Sequence, residues 1–333
     1  MSSLESTDDR PGWSRRRNRG WVYPDVVAAE AAGWKALEFY VRRYPHSTEA
    51  QWRRRLEEGR IRGPGGPLGP EERLRSGQRL EYHRPPWTEP PAPRRFDVIR
   101  DDGDLLAVAK PAGLQVLPAA EFLENTLLHA VREGLGERPA PAHRLGRGTS
   151  GIVLFARSAE ARRGLAAAFE NRRVHKLYRA LVQGLDMKDR FAVETPIGPV
   201  AHAHPGQVFA ARPDGRPAVS HVRVIERRPA DGATLVEVEI PTGRPHQIRI
   251  HLAAAGFPLV GEPLYIAGGR PRQPAAGQKP ARPGDMGYHL HAMQVSCGHP
   301  VELSRISLYC RPPAELLAVS ERSRPSGACA RSR

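Results

Sequence analysis

A chain of 333 residues, 40% of them hydrophobic, is long enough for one large domain and a smaller one, and it can bury a substantial core. Its 51 lysines and arginines exceed its 36 aspartates and glutamates, and the formal net charge of +15 favours a nucleic acid as partner over a mere compositional bias towards arginine. The chain has no run of about 18 apolar residues, no apolar leader and no CxxC pair, which excludes a membrane span, a secreted disulfide framework and a cysteine-based zinc site and predicts a cytoplasmic protein.

The first third of the chain is predicted to hold a small module between two irregular segments. Residues 1–32 begin with a polar stretch and are expected to be flexible. Over residues 33–84, two short helical patterns precede EGRIR, a Gly/Pro turn and GQRLEY, an order that resembles the S4-type RNA-binding module; the alternative is a helical leader packed on the main domain. Residues 85–95 are too rich in proline for a helix or a central strand and predict a stiff linker.

Strands dominate the pattern over residues 96–311. The strand candidates are Phe96–Ile99, Leu105–Ala109, Ile152–Ala156, Lys176–Val182, Val219–Glu226, Leu235–Ile240 and Leu290–Ser296. A helix is predicted at Ala159–Asn171. Because strands outnumber helices, we expect an α+β domain with a mixed, largely antiparallel sheet rather than a doubly wound one. The Pro/Gly-rich residues 268–287 predict a flexible loop, and residues 312–333 a flexible tail.

The first segment that suggests chemistry is Ala142–Ala156, AHRLGRGTSGIVLFA, in which a polar, glycine-rich loop leads directly into an apolar strand. The glycines allow the backbone to approach a ligand closely. Arg144 and Arg147 offer guanidinium groups for phosphates or base edges. The segment fits neither a Walker pattern nor GxGxxG, and a plain structural turn is the alternative.

The second segment is Lys176–Val182, KLYRALV, which is predicted to be a strand. Lys176 and Tyr178 share one face of it. A tyrosine on the polar side of a strand can stack on a base and present its hydroxyl. An ordinary half-buried tyrosine is the alternative.

The third segment is Thr242–Tyr265, TGRPHQIRIHLAAAGFPLVGEPLY. A helix is predicted to begin near Pro245, with Ile248, Leu252 and Ala255 facing inward. His246 and Arg249 lie one turn apart on a different face. Arg249, with Arg244 nearby, suits a buried anion or carboxylate, and a set of solvated arginines is the alternative.

Together these segments resemble the RluA-type family of pseudouridine synthases. That family carries HRLDxxTSG before an apolar strand, then KxYxALV, then GRxHQIRxHLxxxGxPIxGDxxY. Here the same positions read HRLGRGTSG from His143, KLYRALV from Lys176, and GRPHQIRIHLAAAGFPLVGEPLY from Gly243, while KPAG from Lys110 matches the family's lead motif. The resemblance covers roughly residues 96–310.

The resemblance implies the pseudouridine synthase fold and a set of roles. Tyr178 would pack on the target uracil and help to handle its C5 proton, Arg249 would pair with the family's catalytic aspartate, and Arg144 would fill the space left by the flipped nucleotide. The residues expected to bind RNA are Arg144, Arg147, Lys176, Arg244 and His246. No metal or organic cofactor is expected, and the expected partner is ribosomal or transfer RNA, bound by a monomeric protein.

One position departs from the family. Gly146 stands where the family has its catalytic aspartate, and glycine cannot act as nucleophile, base or ion-pair partner. Arg249 is therefore expected to lose its partner, which a buried charge tolerates poorly. Glu262 also replaces the aspartate of GDxxY. The sequence predicts an RNA pseudouridine synthase, with a catalytically silent RNA-binding protein as the alternative.

Overall fold

A computed structural model describes residues 12–202, 207–275, 277–302 and 304–323. The chain divides into two compact units. Unit 1 contains the described residues up to Arg15 and those from Pro90 onward, and unit 2 is Arg16–Glu89. Predictions for residues 1–11 and 324–333 lie outside the described residues.

Unit 2 is built from two helices and a four-stranded antiparallel sheet. In the first part of the chain the strands are β1 Trp13–Arg17, β2 Trp21–Val26, β3 Ile61–Gly63, β4 Gly66–Pro67, β5 Arg79–Arg84 and β6 Thr88–Pro93, and the helices are α1 Ala36–Arg43 and α2 Glu49–Glu57. The sheet has the order β2-β5-β3-β4, and β1 pairs with β6. Thr48 begins α2 with a reciprocal hydrogen-bonded cap to Gln51. Apolar side chains of both helices and of the sheet form the core, centred on Trp52 and Tyr40.

Two segments that the sequence predicted to be irregular contain strands. Within residues 1–32, the aromatic and β-branched run at Trp21–Val26 pairs along its whole length with β5. Within the predicted linker, residues 85–95, Thr88–Pro93 forms a strand despite three prolines. A strand with one neighbour tolerates proline because it leaves backbone donors unpaired in any case.

Unit 1 contains the remaining elements. Its strands are β7 Asp97–Asp101, β8 Leu105–Lys110, β9 Ala140–Pro141, β10 Ser150–Ala156, β11 His175–Gln183, β12 Arg190–Val193, β13 Ile197–Val200, β14 Val208–Ala211, β15 Ser220–Arg228, β16 Ala233–Glu239, β17 Tyr265–Ile266, β18 Arg270–Pro271, β19 Leu290–Gly298 and β20 Arg305–Tyr309. Its helices are α3 Leu127–Leu135, α4 Ala159–Glu170, α5 Gln247–Ala254 and α6 Val319–Arg322.

Ten of these strands form one sheet with the order β12-β15-β16-β11-β19-β10-β8-β7, in which β20 pairs with β19 and β9 with β10. Among its described pairs only β10 and β19 run parallel. The predicted α+β class with a mixed, largely antiparallel sheet is therefore confirmed. β10 is buried on both faces, because Ile152 and Leu154 lie in the cluster that contains α4 residues while Val153 and Phe155 lie in the cluster that contains residues of α3 and α5.

Strand β19 lies at the centre of this sheet, between β11 and β10. Gly151 at the start of β10 has φ +111°, and a Cβ atom there would lie 2.2 Å from the Ala292 carbonyl oxygen. Only glycine permits this close parallel pairing. The pairing brings the loop that precedes β10 to the same part of the sheet as Tyr178 on β11.

Two further predictions for unit 1 differ from the structure. Helix α5 begins at Gln247, and all of its residues through Ala253 are buried, so it has no solvated face. Within the predicted flexible tail, Leu316 and Leu317 are buried, and Glu321 on α6 forms an ion pair with buried Arg179. Apolar contacts and this charge fix a segment whose composition alone predicted a loose end. The flexibility of residues 268–287 stays a prediction.

Candidate active site

The three predicted segments meet on one side of the large sheet. Leu145 from the loop before β10, Tyr178 from β11 and Ile248 from α5 belong to the same buried cluster. Because β10, β19 and β11 are neighbours in the sheet, the strand order accounts for this convergence. We call the loop Ala142–Thr149 the loop side of the site, and α5 with the turn at Glu262 the helix side.

Arg249 on the helix side has a partner, contrary to the expectation from Gly146. Its Nε donates to Glu262 Oε2 at 2.8 Å and its Nη2 to Oε1 at 2.5 Å, with both side chains at most 2% exposed. Its Nη1 donates to the Pro283 carbonyl at 3.2 Å. Burial by itself lowers the pKa of Arg249, but hydrogen bonding to Glu262 and nearby charges outweigh it and raise the pKa above its ordinary value. Glu262, which replaces the aspartate of GDxxY, thus balances the charge of the buried Arg249.

The loop side is filled by Tyr288, a residue that the sequence analysis missed. A Cβ atom on Gly146 would lie 3.1 Å from the Tyr288 hydroxyl, and one on Gly148 only 2.9 Å from Tyr288 Cζ. The hydroxyl lies 3.3 Å from Thr149 Oγ1. The Arg249 guanidinium carbon lies 4.2 Å from the centroid of the Tyr288 ring, a cation–π contact that joins the two sides.

Tyr178 lies where the sequence predicted it, on β11 between β16 and β19. It pairs with Val238 on one side and Ala292 on the other, and the register shifts between Leu177 and Tyr178. Such an irregularity re-aims a side chain. Tyr178 is 7% exposed, and burial raises its pKa above the ordinary value. Its hydroxyl forms no hydrogen bond with another described residue, so it is available to a substrate.

His246 precedes α5 with φ +53°. Its Nδ1 lies 2.8 Å from the Tyr265 hydroxyl, which itself donates to the Phe209 carbonyl at 3.0 Å. Because tyrosine has one hydroxyl proton, His246 Nδ1 must donate, which leaves its Nε2 without a proton. Burial, and next the charges of Arg249 and Arg144, lower the pKa of His246 to about 3, so the ring is neutral.

The other predicted RNA-binding residues differ in their freedom. Arg144 is exposed, and its guanidinium forms no hydrogen bond or ion pair with another described residue. Arg147 Nε donates to the Gly113 carbonyl at 3.1 Å, and its guanidinium lies over Phe122. Arg244 Nε donates to the Pro217 carbonyl at 3.0 Å. Lys176 is partly buried, which lowers its pKa. Arg144 is thus the freest of the set, while Arg147 anchors the loop.

Lys110 of the KPAG motif also holds this loop in place, through hydrogen bonds to backbone carbonyls. Its buried ammonium donates to the carbonyls of Pro111, Leu114 and Arg147 at 2.8, 2.7 and 3.2 Å. Burial, and next the charge of Arg147, lower its pKa to about 7. Three carbonyls use all three ammonium donors, which explains how the chain accommodates a buried lysine.

The described part of the chain contains no group of three or more His, Cys, Asp or Glu residues that could hold a metal ion. Within the same ranges, no helix is long and apolar enough to cross a membrane.

Comparison with known proteins agrees with this geometry. The structure resembles that of human RNA pseudouridylate synthase domain containing 1, with a TM-score of 0.53 and 23% identity over 68% of this chain and 86% of that one, which assigns the fold to the pseudouridine synthase domains. The model of the RNA pseudouridylate synthase family matches residues 104–254.

Two relatives resemble the chain over most of its length. An uncharacterised RNA pseudouridine synthase of Synechocystis is 41% identical over 84% of this chain and 95% of the relative, and RNA pseudouridine synthase 5 of Arabidopsis thaliana is 39% identical over 84% and 88%. The chain therefore belongs to the RNA pseudouridine synthase family, whose members are isomerases. The predicted family, fold class and enzyme class are confirmed, and the S4 resemblance of residues 33–84 stays a prediction.

Proposed function

We propose that this protein isomerises uridine to pseudouridine in structured ribosomal or transfer RNA, as a cytoplasmic monomer. The observation that carries the proposal is that Arg249 keeps a buried carboxylate partner, Glu262, although Gly146 removes the expected one. A chain that had lost its chemistry would have no reason to retain this buried ion pair, since an apolar pair of similar volume is often as stable.

The surface near the site supports an RNA substrate. Arg144 is exposed and unengaged by other described residues, so its guanidinium can meet a phosphate or enter the stack vacated by a flipped nucleotide. Lys176, Arg147, Arg244 and His246 supply further positive charge or hydrogen-bonding groups around the loop. The formal net charge of +15 adds long-range attraction to a polyanion. Isomerisation gains and loses no atoms, and the proposal includes neither a metal nor an organic cofactor.

The test is direct. Purified full-length protein is incubated with total RNA from a strain that lacks its gene, and pseudouridine is mapped by carbodiimide-dependent stops in reverse transcription. We expect discrete new sites, and we expect Tyr178→Phe to lower their rate of formation by at least about 100-fold because it removes a proton-transfer group. RNA affinity should change little, since the ring that packs on the base remains. The absence of new sites at every enzyme concentration would contradict the proposal and favour a catalytically silent RNA-binding protein.

A further inference from the structure

The space beside position 146, rather than its backbone conformation, accounts for the glycine found there. Its φ lies outside the left-handed region, so the backbone there accepts any residue. What an added side chain would meet is the Tyr288 hydroxyl, 3.1 Å from the Cβ position. A carboxylate carried by residue 146 would therefore compete with that hydroxyl for the same volume.

Tyr288 leaves even less space for a side chain at Gly148. A Cβ atom there would lie 2.9 Å from Cζ and 3.0 Å from Cε1 of Tyr288. The two glycines of the loop therefore accommodate one tyrosine ring. A larger residue at either position would require the Tyr288 side chain to move.

The surroundings of Tyr288 suit a reactive hydroxyl. The side chain is 5% exposed, its hydroxyl lies 3.3 Å from Thr149 Oγ1, and its ring lies 4.2 Å from the Arg249 guanidinium carbon. The guanidinium lies over the face of the ring, and this cation–π contact holds the tyrosine between the two sides of the site. Thr149 can donate a hydrogen bond to the Tyr288 hydroxyl oxygen.

We propose that Tyr288 replaces the missing aspartate as a catalytic residue, its hydroxyl facing the nucleotide and transferring protons to and from the uracil. This inference rests on the proposed function. As the C1′–N1 bond breaks, its electron pair leaves with the uracil, which takes the phenol proton at N1. After the ring turns, the C5=C6 electron pair forms the C1′–C5 bond. The C5 proton passes to the Tyr178 hydroxyl, which gives up its own proton to the Tyr288 phenolate, so Tyr178 acts as the relay. Tyr288 ends the turnover as it began, with no oxidant or co-reactant consumed.

Tyr288→Phe tests this inference, because it removes one oxygen and keeps the ring that fills the loop side. We expect kcat for pseudouridine formation to fall by about 100-fold or more, while KM and RNA affinity stay within about twofold. The melting temperature should stay close to that of the wild type. Tyr309→Phe, at an exposed position on β20, is the matched control and should keep wild-type kcat. An unchanged kcat in Tyr288→Phe, with an active wild-type protein, would overturn the inference alone.

A second variant tests the coupling. Gly146→Asp combined with Tyr288→Phe removes the hydroxyl that blocks position 146, and we expect it to recover at least about tenfold of the rate lost in Tyr288→Phe. Gly146→Asp alone should be less active than this double variant because it crowds the tyrosine. A double variant no more active than Tyr288→Phe would overturn the substitution of a carboxylate by the hydroxyl. An inactive wild-type protein would instead overturn the proposed function itself.

Discussion

The two sides of the candidate active site differ in whether they bury charged side chains. On the helix side, Arg249 and Glu262 form a fully buried bidentate pair. On the loop side, position 146 carries no charge, and the Tyr288 ring fills the space. A buried ion pair persists as a unit because removing one partner strands the other, whereas an uncharged position changes readily if its volume is refilled. Charge therefore constrains the helix side, and volume constrains the loop side.

The strongest test of this contrast removes the charge of Glu262. Glu262→Gln keeps the shape of the side chain but leaves the Arg249 cation buried without compensation. We expect the free energy of unfolding to fall by about 3–5 kcal/mol, measured by urea denaturation of the full-length protein. Asp214→Asn breaks the exposed ion pair with Arg212 and should leave stability nearly unchanged. Equal stabilities of the two variants would refute the role assigned to the buried pair.

A test of the loop side adds volume instead. Gly148→Ala forces a Cβ atom against the Tyr288 ring and should lower the free energy of unfolding by about 1–3 kcal/mol. Gly134→Ala is the matched control, because Gly134 lies in α3 with no atom within 4 Å of its Cβ position. This control should not destabilise the protein, since alanine favours a helix by about 0.5–1 kcal/mol. Urea denaturation measures both, and a stable Gly148→Ala variant would argue against tight packing on Tyr288.

The two loop arginines separate anchoring from RNA binding. Arg147→Ala loses the hydrogen bond to Gly113 and the contact with Phe122, and should lower the free energy of unfolding by about 1–2 kcal/mol. Arg144→Ala should leave stability unchanged but weaken RNA binding and reduce its salt slope by about one unit. Thermal melts and fluorescence anisotropy over a range of salt concentrations distinguish the two outcomes. A lowered melting temperature in Arg144→Ala would contradict this assignment and show that Arg144 anchors the loop.

The smallest expected effect is a pH dependence of stability. It comes from two histidines, His143 in the loop and His246 immediately before α5. His143 accepts a hydrogen bond from the Leu154 amide, and burial, then the charge of Lys176, lower its pKa to about 3; the pKa of His246 is also about 3. The unfolded chain binds these protons near pH 6.5, so it holds more protons than the folded state between about pH 3 and 6.5, and stability falls as the pH is lowered through 6.5.

For each histidine, the loss between pH 7 and pH 6 is about 0.7 kcal/mol. His143→Gln and His246→Gln should each reduce the pH dependence of the unfolding free energy by that amount. Parallel urea titrations at the two pH values measure it. An unaltered pH dependence in either variant would show that the histidine is protonated in the folded protein.

Sequence patterns predicted the structural features that depend on residues close together in the chain. The three segments, the α+β class and the position of Tyr178 followed from motif order and strand periodicity. The partner of Arg249 could not be derived, because it depends on the turn that brings Glu262 against α5. Tyr288 carried no signal of its own, since it lies outside the three motifs and reaches Gly146 only because β19 pairs with β10. Edge strands and the α6 contact were missed for the same reason.

The position of β19 has a consequence for how the protein is made. This strand joins β11 to β10, yet it begins only at Leu290 of the 333 residues. Until the ribosome has released that part of the chain, β10 and β11 each keep an unpaired edge, and such edges invite pairing with other chains. The sheet is therefore completed only after β19 has been synthesised, and a chain cut short before Leu290 yields two incomplete half-sheets prone to aggregate rather than a smaller enzyme.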